Sequence, residues 1–507
     1  MSYSPKLTSN FNDTKNRSNI VSCSGMCSFC TEDCLGTCEL GLAAVRGSQT
    51  VYPTNTGANQ VASEKDYPID YSHFNINGHC FGTHGVRPNY EDATIYNVKL
   101  ERRYGRDNEV KIALPFMLPA VIKLNWKDYF AGAAMAGVCA VIGEGCPSKD
   151  PNLEYTDGKI TKFEMLGEMF DAFNKYYRGY GQIILQCNVE DDMQGLPEYA
   201  IKNHGCEAIE FKFGQSAKGV QPARICKGGY EEALKKQASG LIVRPDPSTP
   251  EMKKKFEEGC CPNFYAYDRL PLWDTKFMVN RVKELKAMGL KNVYFKMAGY
   301  APKDLETVLR IAAMAGVDMV TFDGAGGGSG YSPNKMMNEW AYPTVCMEVA
   351  VADIVNKLED EGLEMPAITI TGGIATEDQA YKAIALGDGH VTAIGLCRAS
   401  MAAAMSGKKI GDMIKTGDVP ARYKQYGNTV QEIFADLADL RYIYGKEADN
   451  FPTGAVGVFS YLNKMAFGLQ HFAALNRKFD IELADSSDLI PLTRDARDLL
   501  NGEWFDF

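Results

Sequence analysis

Short runs of apolar and β-branched residues, separated by amphipathic stretches, run from about residue 110 to about residue 400. They fall at 111–116, 138–142, 182–186, 208–213, 292–296, 319–322, 367–371 and 391–394. Continuous apolar runs of this length suit strands buried on both faces, as in a parallel sheet covered by helices. Between them, helical spacing of apolar residues covers 275–288, 303–315, 344–358 and 376–386. Eight strands alternating with helices predict a (β/α)8 TIM barrel in preference to an open doubly wound sheet. The most apolar stretch, 130–142, is too short to span a bilayer and reads as a buried helix followed by a strand.

The same pattern divides the chain. Residues 1–20 form a polar tail, and 21–105 a cysteine-rich segment with little periodicity. The barrel is expected over 106–410, and helices at 428–443 and 461–476 make 411–507 a helical C-terminal extension. One connection, 214–291, is far longer than the others, with only its last part plainly helical. Its portion 214–274 is expected to be an irregular insertion at the catalytic face, where it would act as a lid.

Composition narrows the function. The 507 residues carry a net charge of −10, which argues against nucleic acid as a main partner, since phosphate neutralisation needs a basic face. No apolar signal core precedes the cysteines, and a total of 15 cysteines, mostly in apolar stretches, fits a reducing compartment. A cytoplasmic protein with no membrane span is expected.

Cys23, Cys27, Cys30, Cys34 and Cys38 are the densest chemistry in the chain. Thiolates this close converge on one metal without help from the rest of the fold. Zinc ribbons separate two CxxC knuckles by a longer loop, whereas these cysteines are contiguous, so an iron–sulfur cluster is preferred to structural zinc. Four ligands complete a 4Fe-4S cubane, and the spacing leaves open which of the five is spare. Cys23, Cys27 and Cys30 also have radical-SAM spacing, but they precede the barrel instead of following its first strand. His73, His79, Cys80 and His84 are read as loop-packing residues ahead of a metal site.

Further candidates lie where the predicted strands end. Glu144 follows the second strand, flanked by Gly143 and Gly145. Gln186 ends the third strand. Glu210 and Lys212 alternate to one face of the fourth, which runs on into Gln215 and Lys218, and Lys296 closes the fifth. Charges from several strands on one rim favour a site over separate solvated ends. Asp323 precedes a glycine-rich run through Gly324, Gly327 and Gly328, which suits a loop packed against a ring or substrate. Gly372-Gly373 after the seventh strand and Gly395 after the eighth suit phosphate binding by backbone N–H groups, next to a helix that begins near residue 396.

Taken in order, Gly143-Glu144-Gly145, Phe213-Gly214-Gln215-Ser216-Ala217-Lys218, Asp323-Gly324, Gly327-Gly328-Ser329-Gly330 with Ser332-Pro333, and Gly372-Gly373-Ile374-Ala375-Thr376 resemble the flavin domain of glutamate synthase. The resemblance covers roughly residues 65–410. It implies an FMN-bearing barrel coupled to an iron–sulfur cluster, which reduces an imine formed from 2-oxoglutarate and ammonia. It also implies that Gly143, Gln186, Asp323, Gly324, Gly327, Gly328, Gly372, Gly373 and Gly395 bind the flavin. Lys296 would lie near the isoalloxazine, and Glu144, Lys212, Gln215 and Lys218 would face flavin or substrate.

The departures are equally specific. Met1-Ser2 offers no cysteine nucleophile, so ammonia is expected free or from another subunit. The family's cysteine cluster after the last strand is missing, with Cys397 isolated, and the N-terminal cysteines would replace it. Residues 220–226 replace the family's basic loop, and 260–265 lack its histidine pair. The expected function is an FMN- and iron–sulfur-dependent oxidoreductase that reduces a small anionic substrate, 2-iminoglutarate or a related C=N, C=O or C=C compound, placed by Lys212, Lys218 and Arg224. Electrons would come from ferredoxin or another electron-transfer subunit. A homo-oligomer is compatible with this reading. The replaced loop also fits a different reading, an electron-transfer flavoprotein subunit of a larger complex.

Overall fold

The structure is a computed structural model that describes residues 39–51, 67–214, 223–325, 327, 332, 336 and 340–502. The five N-terminal cysteines, Gln215, Lys218 and Gly328 lie outside the described residues.

Eight parallel strands close into a barrel. They are β1 (Phe116–Val121), β2 (Cys139–Ile142), β3 (Ile183–Cys187), β4 (Ala208–Lys212), β5 (Asn292–Ala298), β6 (Met319–Asp323), β7 (Ala367–Thr371) and β8 (Val391–Gly395). The expected fold class therefore holds, and seven of the eight strands fall within a residue or two of the predicted runs.

The exception is the first strand. Val110–Ile112 pairs antiparallel with Arg102–Tyr104, and the barrel strand begins only at Phe116. Alternation decided this. Val110 and Ile112 are buried on either side of a half-buried Lys111, as in a sheet with one wet face, whereas Phe116–Leu118 is buried throughout. The hairpin stops the amino-terminal end of the barrel. Tyr104, Val110 and Ile112 pack with the inward Met117, Cys139, Ile184, Tyr294 and Met319. The phenol of Tyr104 lies 3.3 Å from that of Tyr294, which donates to Gln182 Oε1 at 2.6 Å.

Among the helices that matter below are α1 (Trp126–Ala136), α2 (Val189–Met193), α3 (Thr344–Asp360), α4 (Arg398–Lys415) and α5 (Thr453–Leu475). The helix expected at 461–476 thus starts a good two turns earlier, and the one expected at 428–443 is broken into Val430–Ile433 and Leu437–Tyr444. Helix α5 lies across α1 and α4 at glycines. A Cβ on Gly407 would come within 2.6 Å of Thr453 O, one on Gly457 within 2.7 Å of Ala403 O, and one on Gly132 within 2.4 Å of Val458 Cβ. No helix among the described residues is long and apolar enough to cross a membrane.

The described part of the long connection after β4 contains a small folded unit instead of irregular chain alone. Ala223–Ile225, Tyr265–Tyr267 and Ile242–Arg244 form a three-stranded antiparallel sheet with Tyr265–Tyr267 in the middle. Helices Gly229–Ala238 and Pro250–Glu257 cover it, around a core of Cys226, Tyr230, Ala233, Val243, Phe264 and Ala266. Three-residue strands are too short to leave a period in the sequence.

Gly407→Val is expected to force α4 and α5 apart and to destabilise the chain by about 3 kcal/mol. Urea denaturation monitored by circular dichroism checks this, and an unchanged midpoint would contradict the glycine-mediated crossing.

Candidate active site

Strand register determines which side chains share the barrel interior. Gln186 pairs with Glu210, Lys212 with Lys296, Lys296 with Thr321, and Thr321 with Thr369. Position 296 faces the same way as Tyr294, whose ring belongs to the interior cluster at the stopped end. The interior is therefore apolar at its amino-terminal end and charged at its carboxyl-terminal end. This second end is where the connecting loops can build a site.

Glu210, Lys212, Lys296 and Gln186 are each at most 6% exposed. Gln186 Nε2 donates to Glu210 Oε1 at 2.5 Å, and Gln186 Oε1 accepts from the Glu144 N–H at 3.4 Å. The Glu210 carboxyl is raised: burial pushes it up and Glu144 adds to this, while Lys296, the Gln186 hydrogen bond and Lys212 oppose the rise without cancelling it. Buried charges persist only when they compensate one another, so these residues work as a unit.

The glycine loops lie on the adjoining sector. Thr371 Oγ1 donates to Gly395 O at 3.0 Å, tying the ends of β7 and β8 together. Thr344, at the start of α3, donates to Gly372 O at 2.8 Å and to Ala325 O at 3.0 Å. Gly324 and Gly372 leave room for this, since a Cβ on either would come within 2.6 Å of Thr344 Oγ1. Gly373 differs: its φ is +84° and no atom lies within 4 Å of where its Cβ would stand. Asp323 packs against Gly327, whose Cβ would fall 2.1 Å from Asp323 Oδ1. Helix α4 begins three residues after Gly395, and its first turn has no side-chain cap.

These residues fit FMN. Open space at Gly373 beside uncapped N–H groups of a helix start suits a phosphate. A buried lysine on the barrel axis suits the electron-rich edge of a flavin ring.

Several residues at this end carried little or no sequence signal. Asp191, in α2, is 2% exposed and accepts from the Gly145 N–H at 2.8 Å. Its carboxyl is pushed up to about 7, first by burial, with hydrogen bonds from Gly145 and Asn188 opposing and Glu144 and Asp268 adding to the rise. Cys397 sits near Lys296, Arg398 and Asp323; burial pushes its thiol up, while the two cations and Tyr129 oppose this. The signal for Asp191 was the capping pattern of Asn188-x-x-Asp191. Nothing local marked Cys397.

Arg224, expected to place substrate, instead pairs with Asp268, Nη2 standing 2.8 Å from both carboxylate oxygens. The histidines near residue 80 are engaged locally: His73 Nδ1 with Asp70 at 3.2 Å and His79 Nε2 with Asp488 at 3.3 Å. No group of metal-binding side chains forms among the described residues. A groove of about 720 Å³ beside Lys111, Gln182, His204 and Asn292 lies at the opposite end of the barrel and includes none of the candidate residues.

Residues 270–406 match the model for the conserved region in glutamate synthase, a stretch that includes Lys296, Asp323 and all the glycines from 324 to 395. An archaeal glutamate synthase (NADPH) from Archaeoglobus fulgidus is 36% identical over 217 residues, 42% of this chain and 37% of that protein. An archaeal-type glutamate synthase (NADPH) from Dehalococcoides mccartyi is 34% identical over 181 residues, 35% of this chain and 32% of that protein. The match spans about a third of the length of these relatives. Among solved structures, the recombinant flavin-binding domain of baker's yeast flavocytochrome b2 is similar at 14% identity and a TM-score of 0.46, covering 86% of this chain and 82% of that one.

The raised Asp191 sets a pH dependence. Its folded pKa of about 7 stands above the unfolded value of 3.8, so the folded chain holds the proton more tightly. The stabilisation is fully present below about pH 4 and is lost as pH rises through about 7. Asp191→Asn is expected to flatten the fall in melting temperature between about pH 4 and about pH 7, seen by differential scanning fluorimetry.

Proposed function

We propose that this glutamate synthase-like chain is an FMN- and iron–sulfur-dependent oxidoreductase that reduces a small anionic substrate. The substrate assigned is 2-iminoglutarate, formed from 2-oxoglutarate and ammonia. The observation that carries the reading is the buried Gln186–Glu210–Lys212–Lys296 group beside glycine loops that fit a flavin phosphate. The family match over residues 270–406 supports it.

Gly372, Gly373 and Gly395 would hold the phosphate, with Gly143, Asp323, Gly324, Gly327 and Gly328 along the ring. Bound there, FMN would supply a hydride to a C=N bond. Lys296, paired across the strands with Lys212, would draw electron density toward the ring edge nearest it. Lys212, with Lys218 and Gln215 from the start of the insertion, would neutralise and orient the substrate carboxylates. Glu144 would deliver the proton that completes reduction of the nitrogen. The N-terminal cysteines would hold the cluster through which electrons arrive from ferredoxin or another electron-transfer subunit, in the cytoplasm.

Two measurements test this. Anaerobically purified protein should carry one flavin and about four irons per chain; zinc in place of iron would remove the electron port. With reduced ferredoxin, 2-oxoglutarate and ammonium it should form glutamate, and Lys296→Met should lower kcat/KM by about 100-fold. Intact cofactors without glutamate formation would favour an electron-transfer subunit instead.

A further inference from the structure

Glu144 is tied through its own N–H to Gln186, which already has a role, and through the next residue to Asp191, which has none. Glu144 stands between Gly143 and Gly145, and Gly145 has a φ of +67° with nothing within 4 Å of its Cβ position. Gly143 is tied to β1 by its N–H to Val121 O at 2.9 Å, whereas at Gly145 no side chain packs and hydrogen bonds alone set the shape. The Glu144 N–H reaches Gln186 by a long bond of 3.4 Å. The shorter bond is the next one, from the Gly145 N–H to Asp191 Oδ2 at 2.8 Å.

Asp191 is itself firmly placed. Its Oδ2 also accepts from the Asn188 N–H at 3.2 Å, and its own N–H donates to Asn188 Oδ1 at 2.9 Å. One buried carboxylate thus ties the loop after β2 to the helix after β3. The adjacent Glu190, on the same short helix, accepts at Oε1 from the backbone N–H of Arg269 at 2.8 Å and from Arg269 Nη1 at 3.1 Å. Arg269 follows the central strand of the insertion sheet, and its neighbour Asp268 takes the Arg224 pair. The insertion, α2 and the Glu144 loop therefore form one hydrogen-bonded series.

We propose that Asp191 is a positioning residue for Glu144, fixing it over the barrel mouth through the Gly145 N–H, and that Glu190–Arg269 links this position to the seating of the insertion. The proposal rests on the role given to Glu144 above. A plain helix cap would behave differently: its loss weakens folding without acting through Glu144.

The test uses the full chain carrying Asp191→Asn, Asp191→Ala, Glu144→Gln, the Asp191→Ala/Glu144→Gln double variant and Arg269→Ala. Asparagine keeps an acceptor oxygen and alanine does not. Hydrogen exchange of the peptide covering 143–146 should rise about tenfold in Asp191→Ala and also rise in Arg269→Ala, staying near wild type in Asp191→Asn. Peptides from β5 to β7 should be unchanged. In turnover with 2-oxoglutarate and ammonium, Asp191→Ala should lower kcat about 30-fold with little change in KM, and add less than about twofold in the Glu144→Gln background. Unchanged exchange at 143–146, or additive losses in the double variant, would overturn the proposal. If the wild-type chain makes no glutamate, the proposed function fails, and the exchange measurement still decides the role of Asp191.

Discussion

Burying charge inside a closed barrel is the constraint on which the rest of this structure depends. Glu210, Lys212 and Lys296 point into a space walled by strands, and none is more than 6% exposed. Each would be costly alone. Together with Gln186 they offset one another, in an arrangement that requires the strands to keep their register. A one-residue slip would turn a lysine out of the interior and bring an apolar residue in. Barrel closure and a charged site are thus the same requirement.

The two ends of the barrel meet that requirement in opposite ways. At the amino-terminal end, the Arg102–Tyr104 and Val110–Ile112 hairpin fills the opening with Tyr104 against Tyr294. At the other end, the loops supply polar backbone and leave space near Gly373. Glycines there act by close approach, since Thr344 can bridge Ala325 and Gly372 only because Gly324 and Gly372 lack a Cβ. The same device recurs outside the barrel, where α5 meets α4 at Gly407 and Gly457 and keeps the helix after β8 in place.

Much of this could be read from residue order. A parallel strand buried on both faces leaves a continuous apolar run, and seven such runs became barrel strands at the expected places. Charged residues at the ends of those runs, Glu210, Lys212 and Lys296, were legible because alternation along a strand gives each side chain a face. The first strand was misplaced because the alternating Val110–Ile112 stretch stands directly ahead of the continuous one. The insertion sheet was missed because its strands are three residues long.

The sequence by itself determined the barrel, its polar rim and the glycine positions, since each leaves a local pattern of period or residue type. Only the tertiary structure decided that Arg224 belongs to Asp268 and that Asp191 holds Gly145. These are contacts between residues far apart along the chain. A carboxylate's partner depends on which loop the closed barrel brings beside it, and no local pattern records that.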